Sequence, residues 1–390
     1  MVKVLLLIGL AVTPFILAPG HSDIAREPKM AWAIVFSLAI ALVSLYKGEL
    51  KAFKNKWAFV LVGFCLLSFY MSPNPELKLF GIESGRFWSW EPLYQGIVFL
   101  LFTISVASIK FERKMLDNVF AVMTWCGTLM ASFVILQSFH IDQFFIHLFG
   151  TYGNMAGTLG NPNLVGPFLC VILPIALYQR KWVMAALMIA GVLVTRCDVS
   201  TIGLIAVLAT YYGLKGGNWT KCVLVLGTIC VLVIGGLYMT KPEFRAKCPD
   251  NQRFLTWSQS IGDVTSPVMN DAIKNYSITG IGPGSFKYLF HAKHNVGEDA
   301  FVYAHNDFVQ VIYECGFAGF IIFMGMLFAI FRRTTTIKDI FIGRIPYVRR
   351  ALITALVGSL VCACGVFTLQ IGTHIFYTLT VIGLLYNDTV

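Results

Sequence analysis

Charge is scarce in this chain. Only 13% of its 390 residues are Asp, Glu, Lys or Arg, and just 20 are acidic. With 57% hydrophobic residues and a mean hydropathy of +0.73, a soluble domain of this length could not hide the apolar surface. Ten cysteines are present, but no metal-ligand spacing. Cys362-Ala-Cys364 falls in an apolar run and reads as packing, and no acidic cluster has ligand spacing either. No serine nucleophile elbow occurs. Internal repeats, low-complexity segments and heptads are absent, which weakens a repeat-built transporter reading.

What the chain does have is repeated apolar runs of roughly 15–20 residues bounded by charges, the pattern of membrane-spanning helices. About twelve are expected, near 4–19, 31–46, 57–71, 93–109, 119–138, 163–179, 182–195, 199–214, 221–239, 304–331, 350–368 and 371–386. The expected fold is all-α, a polytopic membrane protein forming one unit over 1–390. The polar stretch 240–303 is its one large loop. The first run carries Lys3, an apolar core and small residues near Ala18-Pro19-Gly20, as a signal peptide would. It is read as an uncleaved helix completing an even-numbered bundle.

Basic residues orient this bundle. With the N-terminus inside, inner loops hold 18 of the 30 Lys and Arg, and the long loop holds seven. The short outer loops hold only Arg26, Lys29, Lys78, Arg86 and Arg196. Both termini are therefore expected inside and the long loop outside. The net charge of +10 is a topology signal, and nucleic acid is not an expected partner. All seven histidines fall on the outer side or at outer helix ends in this arrangement, so groups that titrate near neutral pH are available there. Cys197 and Cys248 also fall outside and are read as unpaired.

The most informative stretch runs from Thr279 to Gly316: TGIGPGSF, a polar run, then AHNDFVQVIYECG. Asp307, Gln310 and Glu314 recur at i, i+3 and i+7 and share one helix stripe. That stripe should face the bundle interior or a wet cavity. Two readings stay open for it, a polar knot that fixes packing or a contact with substrate. His305 and Asn306 sit at its mouth, and an imidazole at a water–membrane border can exchange protons. Gly280-Ile-Gly-Pro-Gly284 reads as a tight turn whose N–H groups could nest an anion, but it lacks the βαβ context of a dinucleotide site.

Arg253 precedes a short amphipathic helix with Phe254, Trp257 and Ile261 on its apolar side. A guanidinium there suits bidentate contact with phosphate or carboxylate. Arg196, in a short turn beside Asp198, is either a local ion pair or a ligand. Arg86 is a weaker candidate of the same kind. Asn161 before Pro162 reads as a helix cap. Trp88, Trp90 and Phe87 fit an interfacial belt.

Taken together, TGIGPGSF…AHNDFVQVIYECGFAG, Arg253-Phe-x-x-Trp257 and GTLGNPNLVGPFL resemble the O-antigen ligase and O-antigen polymerase superfamily of polytopic membrane glycosyltransferases. The motifs cover about 150–320. The resemblance implies transfer of a glycan from an undecaprenyl-diphosphate carrier to an acceptor hydroxyl on the outer face of the bacterial cytoplasmic membrane. It implies inversion at the anomeric carbon, and no metal or cofactor. His305 matches the family's catalytic histidine and Arg253 an arginine that holds the lipid diphosphate. Arg196, Arg86 and Asn306 are candidate substrate contacts. Asp307, Glu314, Gly282, Gly284 and Asn161 are supporting residues. The family's Ser-Arg pair at the eighth span is displaced here, where the chain reads Thr195-Arg196-Cys-Asp-Val-Ser200. Implied partners are the lipid-linked donor, membrane lipid, and a glycan, lipid A-core or protein acceptor. The alternative, from a different class, is a transporter of a lipid-linked glycan or solute. A structural envelope partner would leave His305 with Arg253 unexplained.

Overall fold

A computed structural model describes residues 1–18, 25–51, 55–71, 91–141, 155–216, 251–265, 276–286, 290 and 303–390. Side chains at 69, 71, 91–94, 251–255, 337 and 341 fall outside that description. Among the described residues the fold is all helix, with no strand. In chain order the helices are α1 Val2–Val12, α2 Arg26–Tyr46, α3 Lys56–Met71, α4 Glu91–Ser108, α5 Arg113–Ser138, α6 Pro162–Tyr178 and α7 Trp182–Val194. There follow α8 Asp198–Gly213, α9 Asn251–Thr265, α10 Tyr276–Thr279, α11 Asp307–Thr334, α12 Ile337–Ile342, α13 Tyr347–Ala363 and α14 Gly372–Tyr386. Eleven of the twelve expected apolar segments carry a helix; the ninth, 221–239, lies outside the described residues.

Among the described residues, three helices are long and apolar enough to cross a membrane: Arg26–Tyr46, Arg113–Ser138 and Asp307–Thr334. The shorter apolar helices run 10–17 residues, about 15–26 Å at 1.5 Å per residue, against a hydrocarbon core of about 30 Å. The expectation of twelve crossings thus outruns what helix length alone supports.

The centre of the bundle is α6, where every side chain from Leu164 to Leu177 is buried. A helix apolar on all faces must be enclosed, and α5, α7, α8, α13 and α14 pack around it. It starts as expected: the Asn161 side chain accepts from the Asn163 N–H at 2.8 Å, with Pro162 at the first helical position.

Two polar networks close the two ends. At one, the fully buried Lys29 donates to the carbonyls of Ile16 (2.6 Å), Ala25 (3.1 Å) and Thr158 (2.7 Å). It ties the end of α1 to the starts of α2 and α6. A buried ammonium is tolerable only with its donors satisfied, so Lys29 is a cross-brace and not a loop charge. At the other end, Asn387 donates to Val106, Ala107 and Ile109, and Arg333 pairs with Asp388 at 2.7 Å. Helix direction assigns each described basic residue of the expected inner loops to this second end, called here the basic end. His140, His305 and His374 stand at the first, the His305 end. His374 is nevertheless enclosed in the core against Phe168, so it offers no titratable group to solvent.

Candidate functional site

The helix expected over 304–331 is not continuous. Gly316 interrupts α11 with φ 66° and ψ −177°. The break releases the carbonyls of Tyr313 and Glu314, which an unbroken helix would give to the N–H groups four residues on. They accept instead from Ile281 (2.9 Å) and Gly282 (2.9 Å) of the glycine turn. Ser68 of α3 donates to the Glu314 carbonyl at 2.9 Å and to the Thr279 carbonyl at 2.6 Å. Broken helices survive in apolar surroundings when other groups satisfy the freed backbone. The glycine turn is that replacement.

This alters the reading of the turn as an anion nest. Gly280 donates to Tyr276, Ile281 to Tyr313 and Gly282 to Glu314, so three successive N–H groups are committed to carbonyls. Positive φ angles of 73°, 115° and 80° at Gly280, Gly282 and Gly284 explain the glycines conformationally. Gly282 and Gly284 therefore support the site through the backbone.

Above the turn lies a separate apolar cluster of Val264, Tyr276, Ile281, Phe286, Phe290, Ala304, Val309 and Tyr313. Phe286 stacks on Phe290 at 4.7 Å and meets Tyr313 edge-on at 5.1 Å. Helix α9 closes this roof, with Trp257 of its expected apolar side packed against the cluster. Ile261 is exposed, while Thr256, Ser260, Asp263 and Val264 are buried. The i, i+4, i+7, i+8 spacing of those four defines the packed side, and α9 sets it against α11. Trp257, at its margin, donates Nε1–H to the Ala304 carbonyl at 2.6 Å.

That contact holds the residue just before His305. His305 itself has φ 52°, a left-handed conformation that costs a side chain-bearing residue about 1–2 kcal/mol. Strain of this kind persists where surrounding contacts over-determine it. Here the determinants are Trp257 on the preceding carbonyl and the Asn306 cap on the following side. The Asn306 Oδ1 accepts from Phe308 (3.0 Å) and Val309 (3.2 Å), so that oxygen caps α11. The half-buried His305 ring meets Phe367 edge-on at 4.8 Å. Phe367 stacks on Tyr303 at 4.8 Å, and the Arg26 guanidinium lies 5.3 Å from the Tyr303 centroid.

Asp307, Gln310 and Glu314 are all buried, on one stripe inside the bundle. Asp307 Oδ2 accepts from Thr368 Oγ1 and from the Leu369 N–H, both at 3.0 Å, tying α11 to the segment before α14. Gln310 donates to Glu314 at 3.1 Å. Asp307 is therefore a brace. Asp307→Ala should lower stability by about 1–3 kcal/mol, since a buried N–H and hydroxyl lose their acceptor. Asp307→Asn, which keeps one oxygen, should cost less. Thermal unfolding of the two variants in detergent checks the order.

Arg253 lies in the first turn of α9, about one turn before Trp257; its side chain lies outside the described residues. Arg86 and Cys248 lie wholly outside them, as do Phe87, Trp88 and Trp90. Arg196 is exposed at the His305 end with φ 52°, and it makes no ion pair with Asp198 among the described residues. Cys197 is a free, buried thiol. The residues that the sequence did not single out are Arg26, Tyr303 and Phe367. Arg26 counted only as an outer-loop charge, and nothing in the spacing links it to a histidine 279 positions away. Among the described residues, no group of three or more His, Cys, Asp or Glu is placed to hold a metal ion.

Compared with known proteins, the chain matches no family model, and no curated protein is similar to it.

Proposed function

We propose that this chain is a membrane glycosyltransferase of the O-antigen ligase or polymerase kind. It transfers a glycan from undecaprenyl diphosphate to an acceptor hydroxyl, with the His305 end facing outward from the bacterial cytoplasmic membrane and about twelve crossings in all. The observation that carries this reading is the posture of His305: an imidazole on a strained backbone at the mouth of a buried polar stripe, braced on both sides, at the end away from the basic residues of the expected inner loops. His305 takes the proton of the acceptor hydroxyl as its oxygen attacks the anomeric carbon. The bond from that carbon to the diphosphate oxygen breaks, and the lipid diphosphate leaves with the electron pair. One displacement inverts the centre. Arg253 and Arg26 are the cations assigned to the developing negative charge, a task guanidinium groups perform by bidentate hydrogen bonding.

The transporter alternative needs polar groups continuing towards the basic end. Beyond the break, the buried residues of α11 are Gly319, Phe323, Leu327, Ile330 and Thr334, and polarity returns only at its last turn. That disfavours a through-path along this helix. The test is to incubate membranes containing the protein with a labelled undecaprenyl-diphosphate glycan and to sort the products. Label appearing on lipid A-core, on a lengthened glycan or on protein supports transfer and names the acceptor. Label remaining on the carrier overturns the reading. If Arg26 helps hold the donor, Arg26→Ala should raise the donor KM about tenfold or more, the loss of one charge-assisted contact, with a smaller effect on kcat.

A further inference from the structure

The basic end contains a buried cation that no carboxylate answers among the described residues. Arg350, in the first turns of α13, is 4% exposed, and its Nε has no hydrogen-bond partner. Its guanidinium lies 4.7 Å from the centroid of the exposed Tyr347 ring, and no ion pair reaches it among the described residues. Burying a charge without an opposite charge is strongly unfavourable. Of the described carboxylates at this end, four are engaged elsewhere, Glu112 with Lys3, Asp117 with Arg113, Asp388 with Arg333, and Asp339 in the capping box of α12, and Glu49 is exposed after α2.

The same end carries further positive charge. The Tyr211 hydroxyl near the end of α8 interacts electrostatically with Arg350, Tyr212, Tyr347 and Arg180. Lys215 follows on α8, with Nζ 4.4 Å from the Tyr212 ring. Gly216 and Gly343 touch backbone to backbone, which presses the turn bearing Arg344 onto Lys215. Helix α13 also begins at Pro346 without a side-chain cap, so its free N–H groups and positive dipole end face the same region.

We propose that the ends of α6 and α8 and the start of α13 form a binding site for a phosphate group, with Arg350 as its buried anchor and the headgroup of an anionic membrane lipid as its source. Three features favour phosphate: a planar guanidinium, an uncapped helix start, and phenol donors from Tyr211 and Tyr347. The lipid source fits the position, at the end where the exposed apolar side chains of Ile342 and Tyr347 adjoin the cations. The site is independent of the chemistry assigned to His305.

The test is thermal unfolding of the purified full chain in neutral detergent, with added phosphatidylglycerol, phosphatidylcholine or inorganic phosphate. Phosphatidylglycerol should raise the unfolding midpoint of the wild type, and phosphatidylcholine should not. Arg350→Met should lose that shift, yet unfold without lipid at or above the wild-type temperature, because the uncompensated charge is gone. Arg350→Lys keeps the charge but not the fork, and should show a reduced shift. A shift with inorganic phosphate alone, lost in Arg350→Met, supports the site and replaces the lipid by a soluble ligand. Equal shifts in wild type and Arg350→Met, no shift with any phosphate, or a ligand-free Arg350→Met less stable than wild type overturns the proposal.

Discussion

His305→Ala should abolish glycan transfer while the protein continues to accumulate in the membrane. A positioned general base contributes about 10²- to 10⁴-fold to rate, so residual transfer should fall by at least the lower figure. Folding should be spared, because the ring is half-buried and meets Phe367 edge-on at the mouth of the bundle. The backbone supplies a sharper control. At φ 52° glycine meets no penalty, so His305→Gly should fold as well as the wild type or gain about 1 kcal/mol. Asparagine also tolerates this conformation. Both variants should nevertheless be inactive. Loss of transfer with unchanged or raised thermal stability would separate chemistry from architecture. Retained transfer in any of the three variants would remove His305 from its assigned role.

The largest structural effect is expected at Gly316. Its φ 66° and ψ −177° lie where almost only glycine is found, and a side chain there costs about 1–3 kcal/mol from the backbone alone. Space forbids the substitution as well. A Cβ on Gly316 would overlap the Ile278 carbonyl and lie 2.6 Å from the Gly280 nitrogen. The reciprocal contact is equally tight, since a Cβ on Gly280 would strike the Glu314 carbonyl and the Cys315 nitrogen. Neither side can yield by rotating a side chain, because both surfaces are backbone. Gly316→Ala should therefore separate the glycine turn from α11 and take from the Tyr313 and Glu314 carbonyls the N–H donors of Ile281 and Gly282, for a total loss of about 3 kcal/mol or more. Gly63→Ala is the matched control. Gly63 is exposed within α3 with open space around it, and alanine should stabilise that helix by about 0.5–1 kcal/mol. Unfolding midpoints of the two variants in one detergent decide the matter; a Gly316→Ala protein as stable as the wild type would contradict the description of the break.

Much of the helical order was legible because its signals are local. Asn161 before Pro162 marked a helix start, and the same chemistry operates at Asn306, whose oxygen caps α11. The i, i+3, i+7 spacing of Asp307, Gln310 and Glu314 placed them on a buried stripe. The break at Gly316 was not legible, since one glycine in a long apolar run is compatible with an unbroken helix. Only the docked turn, over thirty residues earlier, makes the break necessary. The side of α9 was legible only in part: Trp257 packs on the roof cluster as an apolar residue should, while Ile261 is exposed and Thr256, Ser260, Asp263 and Val264 are buried. Lys29 and Arg26 illustrate the limit for single charges. Each follows the same loop, yet one is sealed inside by three carbonyls while the other lies over Tyr303, and no spacing rule separates them.

The central claim is that bond formation takes place at the His305 end. Its most direct measurement uses purified protein in vesicles, supplied with labelled lipid-linked glycan and an acceptor, and compares free undecaprenyl diphosphate released with glycosidic bonds formed. The account predicts equal amounts of each, with the anomeric configuration inverted, and neither product in His305→Gly vesicles. Donor that crosses the bilayer intact, with no bond formed and no diphosphate released, would contradict it.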